Sequence, residues 1–238
     1  MINKKIHYIW LGKGKKSKLL EICINSWYNT LGEDYEIIEW NEDNLNLEEL
    51  RKKNKFLDKC IKYKLWAFAS DYLRLYILYN EGGIYLDTDI EVFKNFDDFL
   101  KYESFMGYEE KEYICTGVIG AEKNSKLIKR LLDYYDKEIM DSEYYINPYI
   151  FNYVKDNNPE LFTNTLIADK SVFSPYDWSH VNVLPVNREN TITIHWYNQG
   201  WNLTRKGKIF LETKHLKNPF KKLYVRIKID VKKLIGRK

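Results

Sequence analysis

The sequence predicts an α/β fold, with a mainly parallel central sheet flanked by helices, from three observations. The chain opens on the apolar run Ile6-His7-Tyr8-Ile9-Trp10, a Gly12/Gly14 loop and an amphipathic stretch from Ser17 to Leu31. This is the strand, turn and helix of a βα unit. Strand-type and helix-type segments keep alternating as far as Asp89, as a parallel sheet with crossover helices requires. A helical pattern stopped by Gly82-Gly83 then feeds the short apolar run Ile84-Tyr85-Leu86, which ends in two acids, Asp87 and Asp89. The carboxyl ends of strands are where open α/β sheets bind ligands.

Taken in order, the first helix places Leu19, Leu20, Cys23, Trp27 and Leu31 on one stripe. Tyr35 to Trp40 reads as a second strand, Asn41 to Asn44 as a loop and Leu47 to Lys53 as a short polar helix. The longest helical pattern runs from Leu57 to Asn80, with Leu65, Phe68, Ala69, Tyr72, Leu75, Tyr76 and Tyr79 as its apolar positions. Glycine after Asn80-Glu81 ends that helix. Ser104 to Tyr108 and Ile114 to Ala121 look like strands, Ser125 to Lys137 a helix with a serine N-cap, and Ile146 to Lys155 another helix. Pro159, Pro175 and Pro185 mark a loop-rich region before a last strand, Thr191 to Trp196.

At 238 residues the chain can bury a sizeable core. Its 45% hydrophobic and 16% aromatic content is globular, too rich in tyrosine and tryptophan for disorder. Twenty tyrosines and seven tryptophans suit stacking on sugars or bases, although a bias of composition toward Lys, Asn, Ile and Tyr gives the same count. Cys23, Cys60 and Cys115 form no C-x-x-C pair, which argues against a zinc or dithiol site and for a reducing compartment. The first residues lack a secretory pattern and no run of 18 apolar residues occurs, so a cytoplasmic location is expected.

Asp87-Thr88-Asp89 carries the chemistry. The two-residue period of a strand turns Tyr85, Asp87 and Asp89 to one face, so both carboxylates reach one ion. Mg²⁺ and Mn²⁺ favour carboxylate oxygen and keep positions open for water and phosphate, so two carboxylates suffice when a nucleotide brings the rest. Taken alone, the triplet is weak evidence for a metal and reads as an Asx turn closing a strand. Asp71 and Arg74 lie three apart on one helical face. The apolar neighbours Leu73, Leu75, Ile77 and Leu78 leave that helix little solvent, so the pair is expected in a cleft and not on the surface.

Four separated segments, His7-Tyr8-Ile9-Trp10-Leu11-Gly12, Ala69-Ser70-Asp71-Tyr72-Leu73-Arg74, Glu81-Gly82-Gly83-Ile84-Tyr85-Leu86-Asp87-Thr88-Asp89, and His195-Trp196 with Trp201, occur in that order. Together they resemble glycosyltransferase family 32, the DXD sugar-binding enzymes that include capsular polysaccharide transferases and the yeast initiating mannosyltransferase. They also resemble the catalytic core of the large clostridial toxin glucosyltransferases. The resemblance spans Ile2 to Leu203. It implies a GT-A fold, a Rossmann-like nucleotide-sugar transferase architecture. It further implies that Ile9 and Trp10 hold the nucleobase, Asp71 and Arg74 bond donor-sugar hydroxyls, and Tyr85 lies beside the donor. Asp87 would contact ribose, sugar and metal-bound water, Asp89 would ligate the cation, His195 would supply a late metal ligand, and Trp201 would meet the β-phosphate. One departure from the family pattern is Gly200 before Trp201, where serine often precedes the final tryptophan.

The implied reaction is metal-dependent transfer of a hexose from a nucleoside diphosphate sugar, UDP-hexose ahead of GDP-mannose, to a glycan or lipid-linked oligosaccharide in surface polysaccharide synthesis. The resemblance implies retention of configuration, with Asp87, Asp89 and Arg74 as the catalytic set, Mn²⁺ or Mg²⁺ as cofactor and no protein nucleophile. Alternatives are a protein glucosyltransferase, a non-catalytic glycan-binding module and a metal-dependent phosphohydrolase.

The net charge of +4 is unevenly spread. From Lys217 onward nine Lys and Arg meet one acid, Asp230, so this tail carries +8 and residues 1–216 carry −4. A catalytic domain over 1–216 and a basic extension over 217–238 are therefore expected. Phe220, Leu223, Tyr224, Ile227, Val231 and Leu234 fall at helical spacing, which suits an anionic membrane face. Val225, Ile227, Ile229 and Val231 alternate as a strand would. Nucleic acid is not expected as a partner, because the body is net acidic.

Overall fold

The computed structural model describes residues 1–110, 112–176, 189–198 and 203–235. Its centre is a six-stranded sheet in the order β2-β1-β3-β6-β5-β7, formed by β1 (Lys5–Ile9), β2 (Glu36–Trp40), β3 (Gly83–Leu86), β5 (Ser104–Glu110), β6 (Tyr113–Ala121) and β7 (Thr165–Ala168). β1 pairs in parallel with both β2 and β3, and β5 with β7, while β6 runs antiparallel between β3 and β5. The chain leaves β1 for β2 on one side and returns for β3 on the other, so a crevice opens beyond the carboxyl ends of β1 and β3. A second, two-stranded sheet pairs β4 (Ile90–Val92) with β8 (Thr193–His195) in antiparallel fashion, Ile90 opposite His195.

Helices cover both faces of the main sheet. α1 (Lys18–Leu31) is capped by the Ser17 side chain and buries Leu20, Cys23, Ile24, Trp27 and Leu31, which are spaced by three and four residues. After the short α2 (Leu47–Lys53), the long helix expected over Leu57–Asn80 is two helices, α3 (Lys55–Lys62) and α4 (Trp66–Glu81). Lys64 takes a left-handed φ of 57° between them, and Asn54 caps the start of α3 through its side chain. α4 ends at Gly82, whose φ of 68° and proximity to the Lys123 backbone (2.7 Å from an added Cβ) exclude a side chain. α5 (Lys126–Asp133) opens on the Ser125 cap and widens into a π turn over Tyr134–Glu138. α6 (Asn147–Asn157) follows, with α7 (Lys170–Phe173) after β7.

The Asp-Thr-Asp segment departs from the strand expected for it. β3 ends at Leu86, and Asp87 to Asp89 form a turn closed by Ile90 N–H donating to the Asp87 carbonyl at 3.0 Å. Asp87 still follows the ladder through its N–H to Gly117 O at 2.8 Å, so it shares a face with Tyr85. Asp89 reaches the same place because the chain turns there, not because the strand continues.

His7 fixes the carboxyl end of α4 to the sheet. Trp40 Nε1–H donates to its Nδ1 at 3.0 Å, which leaves Nε2 to carry the hydrogen given to Gly82 O at 2.9 Å. Burial pushes its pKa down to about 4, so this ring is neutral across the physiological range.

The basic tail is a helix. α8 (Arg205–Thr213) packs along α9 (Pro219–Ile235), and Arg205 pairs with Asp230 across them at 2.5 Å. The strand reading fails because half-buried Val225 and buried Ile229, four apart, turn inward together. Phe220 is 79% exposed and Tyr224 67%, and Leu223, Ile227 and Val231 are also exposed.

Candidate active site

A cleft of about 670 Å³ lies beyond the ends of β1 and β3, within the usual range of ligand sites. Ile9 and Trp10 form its wall after β1, and Asp71 and Arg74 reach it from α4. Tyr85, Asp87 and Asp89 come from β3 and its turn, and His195 from β8. The sequence-derived site residues that fall among the described residues are therefore all brought together. Trp201, with Gly200, lies outside the described residues.

Arg74 organises the floor. Its Nη2 meets Asp71 Oδ1 at 2.9 Å and Asp87 Oδ1 at 3.2 Å, and its Nη1 meets Asp87 Oδ2 at 3.4 Å and Thr116 O at 2.5 Å. Nε donates to Ser70 O at 3.3 Å, so the guanidinium makes three hydrogen bonds within the protein beside the two ion-pair contacts of Nη2. The guanidinium also lies 4.5 Å from the centre of the Tyr85 ring, and Tyr85 O–H donates to Asp87 Oδ1 at 2.8 Å. Asp71, 7% exposed, also accepts at the same Oδ1 from Asn147 Nδ2–H at 3.1 Å. Burial pushes the Asp71 carboxyl up to about 7 against the opposing pull of Arg74.

Asp89 and His195 meet through the small sheet. Pairing of Ile90 with His195 sets the imidazole beside the turn, with Nε2 3.5 Å from Asp89 Oδ1. Asn198 N–H donates to Asp89 Oδ2 at 2.8 Å, and Trp196 N–H to Asp89 O at 3.0 Å. Burial works against charge on both groups, but their mutual attraction prevails. It holds the Asp89 carboxyl below its ordinary range and the His195 ring well above its own.

Asp87, Asp89 and His195 offer ligand atoms that all lie within 4.8 Å of one another. Two carboxylates with one imidazole suit a divalent cation of the Mn²⁺ or Mg²⁺ type. The surroundings fit as well. A Cβ added at Gly117 would come 3.2 Å from Asp87 Oδ2 and 3.6 Å from His195 Cε1, so glycine keeps this concavity open.

Sequence reasoning missed Asn147, Thr116, Gly117 and Glu109, all of which line the cleft. Asn147 and Glu109 carry no local motif, and only the fold brings them to Asp71 and His195. Burial raises the Glu109 carboxyl to about 7. Behind His195, Cys115 Sγ lies 4.0 Å from Nδ1 and accepts the Ser174 hydroxyl at 3.2 Å.

Residues 17–106 match the family model described as the glycosyltransferase sugar-binding region containing the DXD motif. An uncharacterized glycosyltransferase, L373, of Acanthamoeba polyphaga mimivirus is 33% identical over 137 residues, covering 52% of this chain and 51% of that one. Toxin Afp18 of Yersinia ruckeri is 28% identical over 205 residues, 71% of this chain and 9% of the toxin. The chain thus spans about half the length of the first and under a tenth of the second. Among solved structures, the PaToxG glycosyltransferase superposes with a TM-score of 0.51 at 21% identity, covering 66% of this chain and 70% of that one, which supports the shared fold.

Proposed function

We propose that this chain, a glycosyltransferase domain with a DXD sugar-binding region on a GT-A fold, moves a hexose from a nucleoside diphosphate sugar to a glycan hydroxyl with a divalent cation in the cleft. The observation that carries this reading is the convergence of Asp87, Asp89 and His195 on one point beside the buried Asp71–Arg74 pair. In this reading Asp89, Asp87 and His195 hold the cation. When bound, it neutralises the charge that grows on the departing diphosphate. Trp10, which is half-buried at the cleft rim with Lys16 Nζ 5.2 Å from its ring centre, stacks on the nucleobase beside Ile9. UDP is preferred to GDP as the donor nucleotide.

Asp71 and Asp87 accept hydrogen bonds from the donor sugar, and Tyr85 closes the floor beneath it. Arg74, whose guanidinium bonds Ser70, Thr116 and Asp87 and pairs with Asp71 and Asp87, acts as a positioning residue that keeps the two carboxylates in place. Asn147 does the same for Asp71 through its bond to Oδ1. Transfer is read as retaining. The acceptor oxygen bonds to the anomeric carbon on the face the diphosphate leaves, the anomeric C–O bond breaks, and the acceptor proton passes to the departing phosphate oxygen. The acceptor belongs to surface polysaccharide assembly, and residues 1–216 form the catalytic unit.

A panel of nucleotide sugars, each assayed with Mn²⁺ and with excess chelator, tests the reading. Sugar covalently attached to an added glycan in the Mn²⁺ arm is the expected result. Release of free sugar alone from every donor would make the protein a hydrolase, and attachment only to polypeptide would replace the acceptor class.

In the same reading α9 rests on an anionic membrane surface at the cytoplasmic face. The exposed Phe220, Leu223, Tyr224, Ile227 and Val231 form one stripe, opposite the face carrying buried Ile229, with Lys221, Lys228 and Lys232 along its flank. No helix among the described residues is long and apolar enough to cross a membrane. The full chain is expected to float with vesicles containing phosphatidylserine at low salt, and the double variant Phe220→Ser/Tyr224→Ser to stay behind. Equal flotation of both, or of neither, would refute the attachment.

A further inference from the structure

One aromatic feature is unused by the donor chemistry. Outside α9, three of the seven large apolar side chains exposed among the described residues are Tyr113, Tyr144 and Tyr149, at 40, 38 and 42% exposure, and they form one patch. The Tyr113 and Tyr149 rings meet edge to face with centres 5.2 Å apart. Tyr144 lies 6.5 Å from Tyr149 and 5.9 Å from Tyr153, which in turn lies 5.6 Å from the buried Tyr134. The row therefore runs from the core to the surface. It is held at both ends: Tyr134 O–H donates to Ser142 Oγ at 2.6 Å, and Asn152 on α6 bonds Glu112 O at 3.0 Å and the Ile114 N–H at 3.4 Å on the β5–β6 hairpin.

Two short stretches of chain link the patch to the cleft. Tyr149 directly follows Ile146, Asn147 and Pro148, all cleft-lining. Tyr113 lies three residues before Thr116 on β6, about 10 Å away along a strand. Among the described residues no protein group bonds the hydroxyls of Tyr113, Tyr144 or Tyr149. A flat apolar ring with a free polar tip matches a pyranose, which has an apolar C–H face edged by hydroxyls. Rings fixed in advance by their neighbours bind with little ordering cost.

We propose that Tyr113, Tyr149 and Tyr144 form an acceptor platform, stacking the sugars of a glycan chain so that its terminal hydroxyl enters the cleft beside the donor. The inference rests on the glycosyltransferase reading and names its acceptor as an oligosaccharide bound over more than one residue.

The test uses the full chain with Tyr113→Ala/Tyr149→Ala and Tyr113→Phe/Tyr149→Phe variants. Donor hydrolysis without acceptor reports the donor site, and saturation-transfer NMR with maltohexaose, cellohexaose and mannohexaose reports the platform. The expected result is unchanged donor hydrolysis in every variant, with affinity for at least one hexasaccharide about tenfold weaker in the alanine variant and kept in the phenylalanine one. Equal hexasaccharide affinity in the wild type and the alanine variant, or no binding of any of the three to the wild type, would overturn the platform. Loss of wild-type donor hydrolysis with glycan binding retained would instead remove the donor reading and leave a glycan-binding surface.

Discussion

Replacing Asp89 with alanine is expected to lower sugar transfer by about a thousandfold or more, the scale of several kcal/mol of charge stabilisation on a leaving diphosphate. The fold is expected to survive. The main-chain bond from Trp196 N–H to Asp89 O persists in alanine, and the carboxylate's protein partners are the Asn198 N–H and the His195 ring. Transfer assays beside thermal melting separate the two effects. A variant with most of its activity and an unchanged requirement for Mn²⁺ would remove Asp89 from the metal site. Activity is also expected to fall in acid, because the ion and a proton compete for His195, whose ring Asp89 holds protonated well above the ordinary histidine range.

The second large effect falls on the buried ion pair. Arg74→Lys is expected to reduce turnover about a hundredfold while changing nucleoside diphosphate affinity less than about threefold. An ammonium cannot bridge Asp71, Asp87 and the Thr116 carbonyl in the plane the guanidinium spans. Asp71→Asn is expected to act in the same direction. Arg74→Ala leaves two carboxylates without their counter-charge, and a stability loss of about 3–5 kcal/mol is expected in denaturant unfolding. Trp10→Ala should do the reverse of Arg74→Lys, weakening nucleotide binding more than turnover. Steady-state kinetics with calorimetry on each variant tests the split, and a loss of nucleotide affinity in Arg74→Lys as large as the loss of turnover would contradict it.

Much of the fold was legible because its signals are local. The alternation of apolar runs with 3.6-period helices, the Ser125 cap and the Gly82-Gly83 stop each fix a neighbouring stretch of backbone. The break between α3 and α4 was not legible, because Lys64 adopts φ 57° with no glycine or asparagine to announce it. The Asp87–Asp89 pair converges for a reason other than the one expected, since a turn and not strand alternation brings the acids together. His195 could be marked by resemblance, but its approach to Asp89 depends on β4 pairing with β8 across more than a hundred residues of chain. Asn147 and Glu109 were invisible for a similar reason: single polar residues acquire meaning only where the sheet and α6 deliver them. The tail kept two periodicities open, and packing on α8 decided for the helix.

Calorimetric titration of UDP and GDP with Mn²⁺ and with excess chelator tests most directly whether Asp87, Asp89 and His195 hold a cation against the donor diphosphate. For the better-bound nucleotide, affinity is expected to rise at least about tenfold with Mn²⁺ in the wild type and to lose that gain in Asp89→Ala. Equal affinity of the wild type in Mn²⁺ and in chelator, or an undiminished Mn²⁺ gain in Asp89→Ala, would contradict the account.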